Sequence, residues 1–134
     1  MSNNMTAEFE AIRRRLSLLP NVIQKRVVRG ATRAAGVAVK KEIQKNVPVD
    51  KSKLKKSISV KSQRRGLIPQ GHEQVIIYPK KAYYSWFIEF GTSKMSPQPF
   101  MRPAFLNSRV LAVQAFQDYA FRRIQKEIEK LSRQ

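Results

Sequence analysis

The sequence predicts an α+β fold, in which an antiparallel sheet of three to four strands packs with two N-terminal helices and one long C-terminal helix. Apolar residues recur every three to four positions before residue 46 and again after residue 103, as they do along amphipathic helices. Between these stretches, short runs alternate apolar and polar residues as strands do. Helices on either side of a run of strands favour α+β over a parallel α/β fold. The 134 residues suit a single domain, 1–134.

The helical part is predicted over 7–46, and its first helix covers 7–18. Thr6 can cap the N-terminus of this helix, because its hydroxyl can accept a hydrogen bond from the backbone of the first turn. Pro20 ends the helix or bends it.

A second, longer helix is predicted over 22–46, with Asn21 as its N-cap and Pro48 as its stop. One side of this helix is made largely of glycine and alanine, so a sheet or another helix can approach it closely. Gly30 and Gly36 would each cost about 1 kcal/mol relative to alanine in an exposed helix interior. Close packing is therefore the expected compensation.

Strands and a proline-rich loop are predicted over 54–102. Residues 54–62 and 74–78 have the composition of two strands, joined by a long polar hairpin loop. The aromatic stretch 82–90 fits either a further strand or a short helical turn, since its periodicity does not decide between them. Three prolines make 95–103 a stiff, extended segment.

The last predicted element is a helix over 103–132, and Pro103 is well placed as its first residue. About 30 residues would span about 45 Å, whereas a compact chain of this length is only about 35–40 Å across. A straight helix would therefore overhang the rest of the fold and expose its apolar stripe. Such an overhang indicates a subunit of an assembly. The alternative is a kinked helix that packs wholly on its own sheet.

Charge is the most unusual feature of the composition. The chain has 27 Lys and Arg residues against 9 Asp and Glu, a formal net charge of +18, and 40–65 alone holds ten cations and two acids. Such an excess repels itself and favours an anionic partner, such as nucleic acid, over a merely solvated basic surface. The candidates to face that anion are Lys51, Lys53, Lys55, Lys56, Lys61, Arg64 and Arg65.

The residues that catalysis or metal binding would need are scarce. The chain has no cysteine, which excludes thiolate catalysis and Cys-based zinc sites, and His72 is its one histidine. It has no phosphate-binding loop and no metal-ligand spacing. We therefore expect no enzyme, no catalytic residue, no cofactor and no metal. No stretch approaches the ~18 apolar residues of a membrane span and no signal peptide is visible, so we expect no membrane partner.

Glu89 is the one acid in the aromatic stretch 82–90. A carboxylate there costs free energy to bury unless it is paired or hydrogen-bonded. Arg102, Lys94 or the backbone N–H groups of the turn at 91–92 could pair with it. A position on the exposed face of a strand is the alternative, and either role is structural rather than catalytic.

Two motifs carry a resemblance to a phage family. The first is EFGT at 89–92, after the aromatic stretch, and the second is PFMRPA at 99–104, which leads into the last helix. Upstream, VPVD at 47–50 and LKKSI at 54–58 fit the same pattern, although Lys51 and Ser52 stand where the family has Thr-Gly. In this order and spacing the sequence resembles the tail-completion or head–tail joining (neck) proteins of long-tailed bacteriophages.

The resemblance implies a non-enzymatic virion component, assembled in the host cytoplasm. It implies a homo-oligomer, a hexameric ring, between the portal-side connector and the tail tube. Phage double-stranded DNA would pass through this ring, contacted at its phosphates. A sequence-independent nucleic-acid-binding protein is the alternative. The family-motif residues expected at subunit contacts are Glu89, Phe90, Gly91, Thr92, Pro97, Pro99, Phe100, Arg102 and Pro103.

Overall fold

A computed structural model describes residues 2–48, 52–63, 66–80 and 84–133. Within these ranges the elements are α1 (Ser2–Leu16), α2 (Asn21–Asn46), α3 (Ser52–Ser57), β1 (Ile58–Ser62), β2 (Val75–Pro79), α4 (Ser85–Phe90), α5 (Met101–Asn107) and α6 (Arg109–Ser132). The predicted mixture of helices and an antiparallel sheet is confirmed.

The two predicted helix caps are wrong. Helix α1 begins at Ser2, so Thr6 lies inside the helix rather than at its cap. Helix α2 begins at Asn21 itself, with Pro20 in the N-cap position and no side-chain cap bond. Proline at φ −58° and ψ 148° is extended backbone that leads directly into a helix. Its carbonyl accepts the N–H of Gln24 at 2.9 Å, which closes the first turn.

Helix α2 is the axis of the fold, and α6 packs along it. Their contact forms one hydrophobic core, in which Val27 of α2 and Ile124 of α6 are fully buried and Ile12 of α1 is nearly so. Gly30 faces the ring of Tyr119 so closely that a Cβ would overlap the ring. The small face of α2 thus serves the close helix approach that the sequence predicts.

The β-hairpin packs on α2 as well. Strands β1 and β2 pair antiparallel, with Val60 opposite Ile77. A Cβ at Gly36 would lie 2.9 Å from Cγ2 of Val75 and 3.1 Å from Cγ1 of Val60, so glycine lets the hairpin rest on the helix. The described part of the chain has two strands in its sheet, not the three to four expected.

Two stretches predicted as possible strand are helical. Residues 54–57 belong to α3, although they were expected to begin the first strand. The fully buried Leu54 and Ile58 are four residues apart, a spacing that puts them on one side of either a helix or a strand. The aromatic stretch forms α4, so the helical alternative left open by its periodicity is the one adopted over 85–90.

The predicted continuous helix over 103–132 is interrupted at Ser108, which separates α5 from α6. Ser108 is fully buried, and its hydroxyl donates to the carbonyl of Phe105 at 3.2 Å. Serine hydroxyl bonds of this kind compete with the backbone ladder and bend helices. Along α6, Ile124 is buried, whereas apolar side chains are exposed in the first turn (Val110, Leu111) and in the last turns (Ile128, Leu131).

A second core lies at the C-terminal half of α2. Its buried residues come from α2 and the segment after it, and from α3, β1, α4 and the start of α5; they are Val39, Ile43, Val47, Leu54, Ile58, Ile88, Phe100 and Ala104. This core is the platform on which both predicted motifs stand.

Candidate functional site

Helix α4, the proline-rich segment after it and α5 form one unit over residues 85–107, which we call the capped loop. Its two ends are joined by hydrogen bonds rather than by a continuous element. The N–H of Gln98 donates to the carbonyl of Ile88 at 2.8 Å, which holds the segment against α4. The loop is therefore fixed before α5 begins.

Glu89 caps α5. One carboxylate oxygen, Oε2, accepts the backbone N–H groups of Phe100 at 2.8 Å and Met101 at 3.0 Å. The other, Oε1, accepts the N–H of Arg102 at 3.0 Å. The next residue is Pro103, which has no N–H to satisfy. One side chain thus satisfies the donors that a helix N-terminus otherwise leaves unpaired.

The environment of Glu89 favours its ionised form. Burial alone would raise the pKa of Glu89, but the N–H donors of Met101, Phe100 and Arg102, together with the charge of Arg102, outweigh burial and hold the pKa below its usual value of 4.5. The sequence correctly allowed Arg102 and backbone N–H groups as partners. The backbone donors belong to α5, however, and not to the turn at 91–92.

Gly91 makes the turn that follows α4. Its backbone is at φ 77° and ψ 176°, a conformation that L-residues with a side chain avoid. A Cβ there would lie 2.8 Å from the backbone nitrogen of Pro97 and 2.9 Å from the carbonyl oxygen of Met95. Thr92 and Met95 exchange backbone hydrogen bonds of 2.9 and 3.3 Å across the same turn. Glu89 and Gly91 therefore have structural roles that explain their identities.

Gly91→Ala is expected to lower the free energy of unfolding by about 1–3 kcal/mol, from the backbone conformation and from overlap with fixed backbone atoms. Chemical denaturation of the purified protein measures it. Gly71→Ala is the matched control, because Gly71 also has a positive φ of 83° but no atom within 4 Å of the added Cβ. Equal losses in the two variants would contradict a role for close packing at Gly91.

Five of the residues expected at subunit contacts differ in how much of their side chain is exposed. Phe100 is completely buried in the second core, so its side chain is not available for the contact with a neighbouring subunit that the motif led us to expect. Phe90, Pro97, Pro99 and Arg102 are exposed. The Arg102 guanidinium lies over the Phe90 ring, 5.8 Å from its centroid.

Sequence analysis missed two residues on the outer side of the capped loop, Trp86 and Leu106. The rings of Trp86 and Phe90 pack with centroids 4.6 Å apart. Phe90 and Leu106 line one cleft, together with Pro97, Pro99 and Pro103. The spacing of Trp86 and Phe90, four residues apart, is the signal that could have placed both on one helix face.

The predicted anion-facing lysines lie on α3. Lys53, Lys55 and Lys56 are all exposed. The Gln44 side chain of α2 donates to the carbonyl of Lys55 at 3.0 Å, which holds α3 near the basic C-terminal turns of α2. We call Lys53, Lys55 and Lys56 the lysine surface.

The other predicted anion-facing residues are not part of the lysine surface. Lys61 is exposed on β1. Lys51, Arg64 and Arg65 lie outside the described residues. In the ranges that the structure describes, no three His, Cys, Asp or Glu side chains come together as a metal site. No helix there is long and apolar enough to cross a bilayer.

The comparison with protein families decides the assignment. The profile of the HK97-gp10-like family, described as "Bacteriophage HK97-gp10, putative tail-component", matches residues 10–91. The chain belongs to this family. The HK97-gp10-like match includes the lysine surface, Glu89 and Gly91, and it ends before the second motif. No curated protein and no solved structure matches the chain.

Membership of the HK97-gp10-like family confirms the predicted relationship to phage tail proteins. It supports a structural role as a phage tail component. Such a component is part of the virion and interacts with other virion proteins.

Proposed function

We propose that this protein is a non-enzymatic ring subunit at the head–tail junction of a long-tailed phage, where it completes the tail or neck and lets double-stranded DNA pass. Its neighbours would be the portal-side connector and the tail tube, and its ring would be hexameric. The observation that carries the proposal is the lysine surface, held in place by α2, in a chain of a tail-component family.

The electrostatics of a ring require a matching anion. Each subunit has a formal charge of +18, so six copies would carry about +108. Duplex DNA carries one negative charge per about 1.7 Å of its axis, so a DNA-filled channel supplies the anion. Lysine ammonium groups on flexible stems suit a duplex that must slide, because they contact phosphates without reading bases.

Neutralising Lys53, Lys55 and Lys56 together to Gln is expected to weaken binding of duplex DNA and to flatten its salt dependence. The slope of log K against log salt should decrease by about 0.9 for each phosphate contact that is lost. A fluorescence anisotropy titration with labelled duplexes of two unrelated sequences measures both quantities.

The matched control for this variant is Lys25, Arg26 and Arg29 to Gln, which removes the same charge from exposed residues of α2. Arg29 precedes Gln44 by fifteen residues, about 22 Å along the helix. Equal effects of the two triple variants would show that net charge alone matters and would contradict a DNA-facing role for the lysine surface.

A phage experiment tests the position at the head–tail junction. In the phage or prophage that encodes the chain, deletion of its gene is expected to leave DNA-filled heads and free tails that electron microscopy finds unjoined. Addition of the purified protein should restore joining. Complete, infectious particles in the absence of the protein would overturn the proposal. DNA binding by a protein absent from purified virions would instead favour the sequence-independent nucleic-acid-binding alternative.

A further inference from the structure

The outer side of the capped loop exposes an unusual amount of apolar surface. Trp86 is 66 % exposed and packs against Phe90, which is 49 % exposed. Leu106, 51 % exposed, lines a cleft with Phe90, Pro97 and Pro99. We call the side of the loop formed by these five residues the apolar face.

The apolar face is large for a solitary subunit. Large side chains of this kind have surfaces of about 150–250 Å² each when fully exposed. Half-exposed side chains in this number therefore present on the order of 500 Å², at the upper end of patches on ordinary monomers. The standard contribution of one partner to a stable interface is about 800 Å². The apolar face supplies a large part of that area.

The apolar face is poor in charge in a chain that is cationic elsewhere. Its charged neighbours are Glu89, whose carboxylate is occupied by the three N–H groups of α5, and Arg102, whose guanidinium lies over the Phe90 ring. An acidic partner would be drawn to the lysines and not to this face. A second copy, itself at +18, meets less repulsion at this face than at the lysine surface, which holds three lysines.

The capped loop is rigid before any partner arrives. The Glu89 cap, the bond from Gln98 to Ile88 and the turn at Gly91 fix its backbone. Association therefore requires little ordering of the loop, which lowers the entropic cost of binding.

We infer that the apolar face is a contact surface for a second copy of this chain. The inference rests on the proposed ring and identifies one of the two different surfaces that meet where neighbouring subunits of a ring touch. Trp86 and Leu106 are then interface residues that the two motifs do not include. Because both copies are strongly cationic, salt screens the repulsion between them and strengthens the contact. The binding of DNA to lysines has the opposite dependence, since salt weakens it.

The test uses Trp86, the only tryptophan of the chain, as a probe within the face. Sedimentation equilibrium and tryptophan fluorescence are followed from about 5 to about 500 µM protein, which covers weak to moderate affinities. They are followed at about 0.1 M and about 1 M salt, where the screening lengths are about 10 and 3 Å. We expect association that increases with salt, together with a blue shift of Trp86 emission and reduced quenching by acrylamide.

Two variants locate the contact and keep Trp86. The double substitution Phe90→Ser and Leu106→Ser should abolish association and leave Trp86 exposed. Leu106→Lys, which introduces a like charge, should do the same with less change in packing. The control is Leu18→Ser with Leu67→Ser, two side chains that are 74 % and 69 % exposed outside the face. Denaturation midpoints confirm that each variant folds.

The remaining outcomes separate the inference from the proposed function. Oligomers in which Trp86 stays open to quencher would overturn the apolar face as the contact and leave a ring standing. A chain that stays monomeric throughout the range would also overturn the inference. The proposed function would then stand or fall on the phage deletion experiment.

Discussion

Phe100→Ala is expected to lower the free energy of unfolding by about 3–5 kcal/mol, because it removes a fully buried aromatic side chain and leaves a cavity. The native state of a domain is typically stable by only about 5–15 kcal/mol, so the variant would approach unfolding at physiological temperature. Equilibrium denaturation with urea, followed by circular dichroism, measures the loss. The position in the second core also predicts that folding fails before assembly does.

Phe105→Ala is the matched control for this substitution. Phe105 lies in α5, the helix that begins directly after Phe100, and is 57 % exposed. Its truncation should cost about 1 kcal/mol or less. A fully folded Phe100→Ala protein that failed only to assemble would contradict the core position and restore a direct role at a subunit contact.

Glu89→Ala is expected to lower the free energy of unfolding by about 2–4 kcal/mol. Loss of an ordinary N-cap side chain costs about 0.5–2 kcal/mol, and here one carboxylate serves three donors at α5. The same denaturation experiment measures the effect. Glu129→Ala, which removes an exposed glutamate from α6, should change the stability by about 0.5 kcal/mol or less. Similar losses from both glutamates would mean that the cap contributes nothing specific.

The contribution of Glu89 should depend on pH. Its pKa is lower in the folded protein than its usual value of 4.5, so the folded state favours the ionised form. The stabilisation is therefore fully present above that value and is lost as the pH falls through the folded pKa. The difference in stability between the wild type and Glu89→Gln should be largest near neutral pH and should shrink below about pH 4.5. A constant difference down to pH 3 would contradict the ionised cap.

Several parts of the fold follow directly from sequence patterns. A long stretch in which small and apolar residues recur every three to four positions predicts α2. The alternation of apolar and polar residues predicts β1 and β2. Gly30 and Gly36 are explained by the close approach of Tyr119 and of the hairpin, as their cost in a helix interior implied. In each case a periodicity or a costly residue had a single physical cause.

Other parts depend on contacts that no local pattern records. A spacing of four residues fits a helix and a strand equally well, so Leu54 and Ile58 could not reveal α3. The interruption at Ser108 accompanies burial of its side chain, whereas the three-to-four spacing of apolar residues continues across it. The acceptor role of Glu89 was anticipated, but its donors lie eleven to thirteen residues away in sequence. Only the three-dimensional structure could bring them together.

The candidate site likewise has features that the sequence predicts and features that only the structure reveals. Exposed lysines at 53, 55 and 56 follow from composition, since clustered cations are rarely buried. The motif drew attention to the capped loop, but it did not separate Phe100, which faces inward, from Phe90, which faces outward. That distinction depends on which of the two side chains packs into the second core.

The arrangement of the two cores along α2 has a mechanical consequence. One core lies at each half of a single helix of 26 residues, about 39 Å long. The capped loop packs at one half of this helix, and α1 and α6 meet at the other half, so one continuous helix joins the two ends of the subunit. Helix α2 thereby acts as a spacer, which sets the distance between the two ends of the subunit.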